Sequence, residues 1–168
     1  LLFMRVLGLR LKAQHSAALN MARERDTLRS LAYTDPLTGL ANRRGIDATL
    51  SATLPHCQGD QLMAVYLIDL DSFKPINDQH GHEVGDQLLI AVAHRLRECM
   101  RSSDVVGRLG GDEFIVLASG LRNELQALTI GEHLLASFQA PLNLPGLPCH
   151  VGLTIGYALA PLDGTEGS

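Results

Sequence analysis

Arg108-Leu-Gly-Gly-Asp-Glu-Phe114 lies between two short apolar runs, Val105-Val106 and Phe114-Ile-Val-Leu117. Two β-prone runs joined by glycines predict a β-hairpin. Because glycine has no Cβ, other backbone or a ligand can approach this turn closely. The two carboxylates at its tip are suited to holding a hard cation or a nucleotide. A hairpin turn without a ligand also favours Gly and Asp, so the local pattern leaves both interpretations open.

The size, charge and cysteine content of the chain restrict its class. It has 168 residues, 46% of them hydrophobic, which predicts one compact domain plus an extension. The net charge is −4 and no basic stripe occurs, so nucleic acid is not expected as a partner. The chain has three cysteines, Cys57, Cys99 and Cys149. Their number is odd, and no two of them have CxxC spacing. They predict reduced thiols in a cytoplasmic compartment.

Residues 1–32 predict a single helix, because they contain no proline and only one glycine, Gly8. A heptad seam drawn along this helix passes through eight residues: Leu7, Arg10, Gln14, Ala17, Met21, Glu24, Leu28 and Leu31. Five of the eight are apolar. This indicates a weak coiled-coil seam, with a helix packed on its own domain as the alternative. The apolar start, with Arg5, Arg10 and Lys12, fits the cytoplasmic end of a transmembrane helix. It equally fits a coiled-coil or buried helix end.

The rest of the chain alternates helices and strands. Pro36 and Gly39 end the first helix. The patterns predict helices at 42–54, 87–100 and 124–139, a buried strand at 63–69, the hairpin around Gly110 and a last strand at 149–160. The order strand, helix, hairpin, helix, strand is that of ferredoxin-like folds. We therefore expect an α/β (α+β) fold with a central antiparallel sheet flanked by helices.

Four separated stretches between Tyr33 and Gly164 resemble the GGDEF family, the diguanylate cyclases. They are Asp35-Pro-Leu-Thr-Gly-Leu-Ala-Asn-Arg43, Asp69-Leu-Asp-Ser-Phe-Lys-Pro-Ile-Asn-Asp78, Gly81-His-Glu-Val-Gly-Asp86 and Arg108-Leu-Gly-Gly-Asp-Glu-Phe114. Four motifs in the family's order and spacing are far more specific than one. The resemblance implies a nucleotidyl-cyclase and polymerase palm fold that makes cyclic di-GMP from two GTP molecules. It divides the chain into a helical linker at 1–32 and a GGDEF domain at 33–168.

The resemblance also implies a metal site. Asp69, the Leu70 carbonyl and Asp112 would hold two Mg²⁺ or Mn²⁺ ions in each active site. The chemistry fits, because like carboxylates on adjacent strands repel and a divalent cation between them removes the repulsion. Asp69 alone could otherwise be a strand-end cap. Glu113 corresponds to the second acid needed for catalysis, either as a base or as an organiser of metal or water.

The remaining GTP contacts follow from the same resemblance. Asn77 and Asp86 correspond to the pair that reads guanine, whose N–H donors suit a carboxylate and whose acceptors suit an amide. Their structural alternatives are a helix C-terminal residue and an N-cap before Gln87. Lys74, otherwise a solvated lysine, and Gly111 would face the phosphates. Phe73 corresponds to a hydrophobic pocket position, although core packing explains it nearly as well.

Arg101-Ser-Ser-Asp104 resembles the family's RxxD inhibitory site, which binds the cyclic di-GMP product. An arginine fork can pair with phosphate or stack on guanine, and the aspartate can accept guanine N–H groups. The alternative is a helix-end arginine followed by a turn-forming aspartate.

The family resemblance further implies catalysis by a homodimer and an upstream sensor domain, which could be membrane-embedded. The domain would then be cytoplasmic, free or at the inner face of the inner membrane. Members of the family continue into a final helix with phosphate-binding basic residues, and we expect the sequence to stop before it. The alternative function is a non-catalytic regulatory domain that binds GTP or cyclic di-GMP. A pure dimerisation domain is a third interpretation.

Overall fold

The computed structural model describes residues 2–161, and its first element is the long helix α1 (Leu2–Tyr33). Good helix formers such as Ala, Leu, Met and Arg fill this segment, and none of its residues is buried. Among the residues described, no helix combines the length and the apolar character needed to cross a bilayer. The predicted helix at 1–32 is thus confirmed over the residues described.

The sheet has the topology expected of a ferredoxin-like fold. Its four strands are β1 (Leu62–Leu70), β2 (Val105–Gly110), β3 (Glu113–Leu121) and β6 (Leu153–Ala160). They lie in the order β2-β3-β1-β6, and each adjacent pair is antiparallel. The two central strands, β1 and β3, therefore carry the residues that the sheet places side by side.

Helices cover the sheet on both faces. They are α2 (Arg43–Thr53), α3 (Phe73–His80), α4 (His82–Cys99) and α5 (Glu124–Ser137). The main core joins α4 and α5 to the sheet face that carries Tyr66 and Phe114, both fully buried. A smaller core joins Ile46 of α2 to Ile115 and Leu117 on the opposite face. The expected central sheet flanked by helices is therefore confirmed.

Two details of the expected secondary structure are wrong. The last strand was expected from residue 149, but Cys149 ends a separate short strand, β5 (Leu147–Cys149), which pairs with β4 (Leu142–Leu144). Helix α4 begins at His82, before the predicted residue 87, because Gly81 rather than Asp86 supplies its N-cap. Asp86 therefore lies inside the helix, and its interpretation as an N-cap is excluded. The expected stop before a final helix concerns residues outside those described.

Candidate active site

The backbone register brings three acidic residues to one end of the central strands. Asp69 on β1 lies directly opposite Glu113, the first residue of β3. Asp112 precedes Glu113 in the two-residue turn that follows β2, and its carbonyl accepts a hydrogen bond from the Leu70 N–H at 3.3 Å. Directly opposed residues in an antiparallel pair point to the same face, so Asp69 and Glu113 share the surface next to the turn.

The turn itself explains the two glycines of the signature. Gly110 and Gly111 have φ values of +145° and +50°, where a side chain would be strained. A Cβ added to either residue would meet no heavy atom within 4 Å. The open space beside this bare backbone leaves room for another molecule to approach.

The neighbouring acids raise the pKa of Asp69. The negative charge of Asp112 is the largest cause that raises the pKa of Asp69 above its ordinary value. Burial, a hydrogen bond with Asp112 and the charges of Glu113 and Asp71 raise this pKa further. A raised carboxyl pKa indicates a cluster in which negative charge is not yet balanced. Such a cluster attracts a cation.

The residues fit a magnesium ion that is completed by other ligands. Among residues 2–161, no group of three or more His, Cys, Asp or Glu side chains is arranged to hold a metal by itself. Asp69 and Asp112 provide two hard oxygen donors, and the Leu70 carbonyl is adjacent in sequence. Mg²⁺ commonly takes one or two carboxylates and completes its shell with water and substrate phosphate oxygens. The donor set is thus suited to a metal that arrives with a nucleotide.

Helices α3 and α4 bring the expected guanine-binding residues together. Asn77, in the last turn of α3, contacts His82 of α4, with 3.1 Å between Asn77 Nδ2 and His82 Nδ1. Gly85 of α4 lies against α3, since a Cβ added there would stand 2.2 Å from Asn77 Oδ1. Phe73 packs beside the same glycine. Asp86 follows Gly85 and is exposed, so it is free to reach a ligand at this junction.

The family resemblance assigns guanine recognition to Asn77, and on that assignment replacing Gly85 by Ala should weaken guanine-nucleotide binding. The added methyl group would displace the Asn77 amide, and loss of a hydrogen bond of about 1.5 kcal/mol corresponds to a roughly tenfold weaker Kd for GTP. Calorimetric titration with GTP checks this. Gly8→Ala in α1, where nothing lies within 4 Å of an added Cβ, is the matched control. If the Gly85→Ala variant binds GTP with unchanged affinity, Asn77 takes no part in guanine recognition.

An arginine ties the signature turn to the start of the domain. Arg108 Nη1 lies 3.1 Å from Asp35 Oδ1, and Arg108 Nε donates to the Gly111 carbonyl at 2.9 Å. Asp35 also accepts hydrogen bonds from the Thr38 N–H and hydroxyl. The sequence placed Arg108 in the motif but assigned it no role. Only the tertiary structure shows that it joins two segments 73 residues apart.

Asp71 is a second residue that the sequence analysis missed. Its Oδ1 accepts a hydrogen bond from the Thr154 hydroxyl at 2.7 Å, and its N–H donates to the Gly152 carbonyl. These contacts fix the chain between β1 and α3 against β6. The following residue, Ser72, has φ of +64°, the only non-glycine positive φ among the described residues. The spacing of Asp69 and Asp71 in the quoted motif was the available signal.

A cleft of about 660 Å³ extends along the sheet face from the acids toward α2. Asp69, Glu113 and Thr154 line one end. Apolar side chains of the sheet and of α2, including Val65, Leu67 and Leu50, line the rest. The acids therefore lie at the mouth of an open groove rather than inside the core. Lys74, in the first turn of α3, is exposed.

The Arg101–Asp104 pair lies at the other end of β3. Arg101 Nη2 donates to Asp104 Oδ1 at 2.9 Å and to the Ser119 carbonyl at 3.0 Å, and Nε donates to Asp104 Oδ2. The Asp104 side chain is only 1% exposed, whereas that of Arg101 is 53% exposed. Ser119 lies six positions along β3 from Glu113, or roughly 20 Å away. This pair is thus a separate surface from the acids.

A ferredoxin-like sheet with acids where its two central strands end is the arrangement expected of the nucleotidyl-cyclase palm fold. The family profile described as "Diguanylate cyclase, GGDEF domain" matches residues 32–168. The chain belongs to the GGDEF family, as its four motifs predicted.

Individual relatives agree with this assignment. Diguanylate cyclase TpbB of Pseudomonas aeruginosa is 44% identical over 140 residues, which are 82% of this chain and 32% of that protein. The bifunctional diguanylate cyclase/cyclic di-GMP phosphodiesterase MucR of the same species is 39% identical over 97% of this chain and 24% of its own length. The chain thus spans a third or less of these relatives.

Solved structures show the same fold. The GGDEF domain of TpbB matches with a TM-score of 0.75 and 43% identity, covering 79% of this chain and 80% of that one. The coiled coil and GGDEF domain of DgcB from Caulobacter crescentus has a TM-score of 0.80 over 95% of this chain and 86% of that one. Its identity is 24%, so this second match supports the fold alone.

Proposed function

We propose that this domain is a diguanylate cyclase, which condenses two GTP molecules into cyclic di-GMP and releases two pyrophosphates. The observation that carries the proposal is the acid cluster, in which Asp112 raises the pKa of Asp69 while Glu113 lies directly opposite Asp69. A domain that only bound nucleotide would not need three neighbouring carboxylates, whose negative charges repel one another. Membership of the family supports the same reaction.

Each residue then has a defined task. The Asp69 and Asp112 carboxylates, with the Leu70 carbonyl, would hold two Mg²⁺ or Mn²⁺ ions beside the GTP phosphates. When bound, these metals polarise the phosphate and favour deprotonation of a 3′-hydroxyl. Asn77 and Asp86 would bind the guanine edge, which excludes adenine because the same groups would be left unpaired. Phe73 would pack against the base.

The phosphates and the attacking hydroxyl involve the remaining residues. Lys74 is exposed at the start of α3 and would neutralise phosphate charge, while the bare backbone of Gly111 would admit the phosphate chain. Glu113 would accept the proton of the 3′-hydroxyl or orient that hydroxyl through water. The hydroxyl oxygen forms a bond to the α-phosphorus of the opposing GTP, and pyrophosphate leaves with the bonding electron pair.

One domain would bind one GTP, so catalysis requires a homodimer. We propose that α1 serves as the helical linker, at 1–32, and that pairing through Ala17, Met21, Leu28 and Leu31 brings two domains, at 33–168, face to face. Pairing raises the effective concentration of one domain near the other. An upstream sensor, membrane-embedded or not, would act through this helix on a cytoplasmic domain.

Product formation is the direct test. The chain is incubated with GTP and Mg²⁺, with ATP in a parallel reaction, and products are separated by chromatography. Cyclic di-GMP from GTP alone supports the proposal. Binding of GTP or cyclic di-GMP without any synthesis would instead assign the chain as a non-catalytic regulatory domain.

We also propose that Arg101 and Asp104 form an inhibitory product site. In this arrangement the nearly buried Asp104 holds the Arg101 guanidinium, and the Nη1 edge has no hydrogen-bond partner within the described residues. That edge can donate to a phosphate or to a guanine acceptor.

Replacing Asp104 by Ala should therefore release Arg101 and weaken binding of cyclic di-GMP. Charge-assisted hydrogen bonds of about 1.5–3 kcal/mol predict a ten- to hundredfold higher Kd, and Arg101→Ala should weaken binding at least as much. Calorimetry with cyclic di-GMP measures both variants, and thermal unfolding verifies that each is folded. Equal affinity for all three proteins would place the inhibitory site elsewhere.

A further inference from the structure

The first three turns of α1 expose large apolar side chains. Leu2 is 79% exposed, Phe3 78%, Met4 69%, Leu9 67% and Leu11 59%. No residue of α1 is buried against the domain. An exposed apolar surface of this kind is typical of an interaction site.

These side chains surround most of the helix instead of forming one seam. At 100° per residue, Leu9, Leu2, Val6, Phe3, Leu7, Leu11 and Met4 follow one another over roughly 220° of the circumference. Arg5, Gly8 and Lys12 occupy the remaining arc, and Arg10 alone interrupts the apolar one. Leu and Phe on one side of a helix, with Arg and Lys on the other, are typical of a helix that lies in a membrane interface.

A second copy of α1 would cover too little of this surface. The heptad seam passes through Leu7 and Arg10 in this segment. Leu2 and Leu9 lie roughly a third of a turn away from that seam, so a dimer would leave both in water. The apolar seam residues Met21, Leu28 and Leu31 lie farther along the helix, where pairing is better supported.

The positive charge of the first turns of α1 favours binding to an anionic surface. The first acidic residue of the chain is Glu24, whereas Arg5, Arg10 and Lys12 all precede it. Residues 1–33 carry six basic and two acidic residues, while residues 34–168 carry eight basic and sixteen acidic ones. An anionic bilayer would thus attract the helix and repel the domain. Arg10 can keep its charged guanidinium at the lipid headgroups while its aliphatic stem lies along the apolar side of the helix.

We propose that residues 2–12 of α1 bind the surface of an anionic phospholipid bilayer. Arg5, Arg10 and Lys12 lie within this segment, and charged side chains are costly in the hydrocarbon core, so the contact is with the interface. Pairing through the later turns remains compatible with this contact, because the two surfaces occupy different parts of the helix.

Vesicle flotation tests the proposal with the whole chain and without nucleotide. The protein should float with vesicles of phosphatidylglycerol mixed with phosphatidylcholine, should float less with phosphatidylcholine alone, and should be released by salt. Arg5→Gln and Lys12→Gln should each weaken binding to the anionic vesicles about fivefold, which corresponds to ~1 kcal/mol for each basic residue. Arg97→Gln, an exposed change on α4, is the charge control.

Leu9 and Leu28 provide a matched pair, since both are 67% exposed on the same helix. Leu9→Gln should reduce flotation severalfold, whereas Leu28→Gln should leave it unchanged and shift the monomer–dimer equilibrium measured by sedimentation. Equal flotation with neutral and anionic vesicles, or none with either, would overturn the proposal. So would a Leu9→Gln variant that floats normally but loses dimerisation, because a second copy would then cover this surface.

Discussion

Replacing Glu113 by Gln is expected to lower cyclic di-GMP synthesis by at least about 100-fold while leaving GTP binding nearly unchanged. The substitution keeps the size of the side chain and removes only its charge and its ability to accept a proton. Glu113 lies opposite Asp69 on the adjacent strand, at the mouth of the cleft. A group that accepts the proton of the attacking hydroxyl contributes about 10²- to 10⁴-fold to the rate. We expect a loss of that size in kcat.

Asp69→Asn provides the comparison that separates the roles of the acids. Loss of the Asp69 carboxylate should weaken Mg²⁺-dependent nucleotide binding as well as turnover, because Asp69 is proposed as a metal ligand. Glu132→Gln on the exposed side of α5 is a control for removing a carboxylate. Turnover is measured from GTP with Mg²⁺, and binding by calorimetry. A Glu113→Gln variant that turns over at the rate of the unchanged protein would remove Glu113 from the reaction.

The second large effect is expected on stability. Arg108→Ala should lower the free energy of unfolding by about 3 kcal/mol, because it removes charge-assisted hydrogen bonds and leaves Asp35 without its cation. The two side chains are only 13% and 15% exposed, so water replaces the lost contacts poorly. Synthesis should also fall, since the same guanidinium holds the Gly111 carbonyl next to Asp112.

A double-mutant cycle with Asp35→Ala isolates this pair, with denaturant unfolding as the measurement. Burial of Asp35 is the largest single influence on its pKa and would raise it. The hydrogen bonds from Thr38 and the contact with Arg108 together outweigh burial and lower the pKa below 3.8. The stability that ionised Asp35 contributes is therefore present above pH 3.8 and disappears as the pH falls through the lowered pKa.

The coupling energy of the cycle should accordingly be about 1–2 kcal/mol at neutral pH and vanish in acid. Arg97→Ala, on the exposed side of α4, should change stability little at either pH. A coupling near zero at neutral pH would show that the contact between Asp35 and Arg108 does not stabilise the fold.

Local patterns were sufficient to predict most elements. Alternation of apolar runs with glycine and proline located α1, β1, the β2–β3 turn and α5, because these signals depend on neighbouring residues. They failed at Cys149, where two three-residue strands are too short to show a period. They failed at the start of α4 as well, since Gly81 with φ of +89° begins that helix without a side-chain cap.

Residue types at fixed spacing were sufficient to identify the family, the order of the strands along the chain and the candidate site residues. Which of these residues meet depends on the packing of the folded domain. That packing set Asp69 opposite Glu113, placed Asn77 against Gly85, and joined Arg108 to Asp35 and Asp71 to Thr154. Such contacts depend on strand register and helix packing, which bring distant segments together through the burial of a shared apolar core rather than through any local pattern.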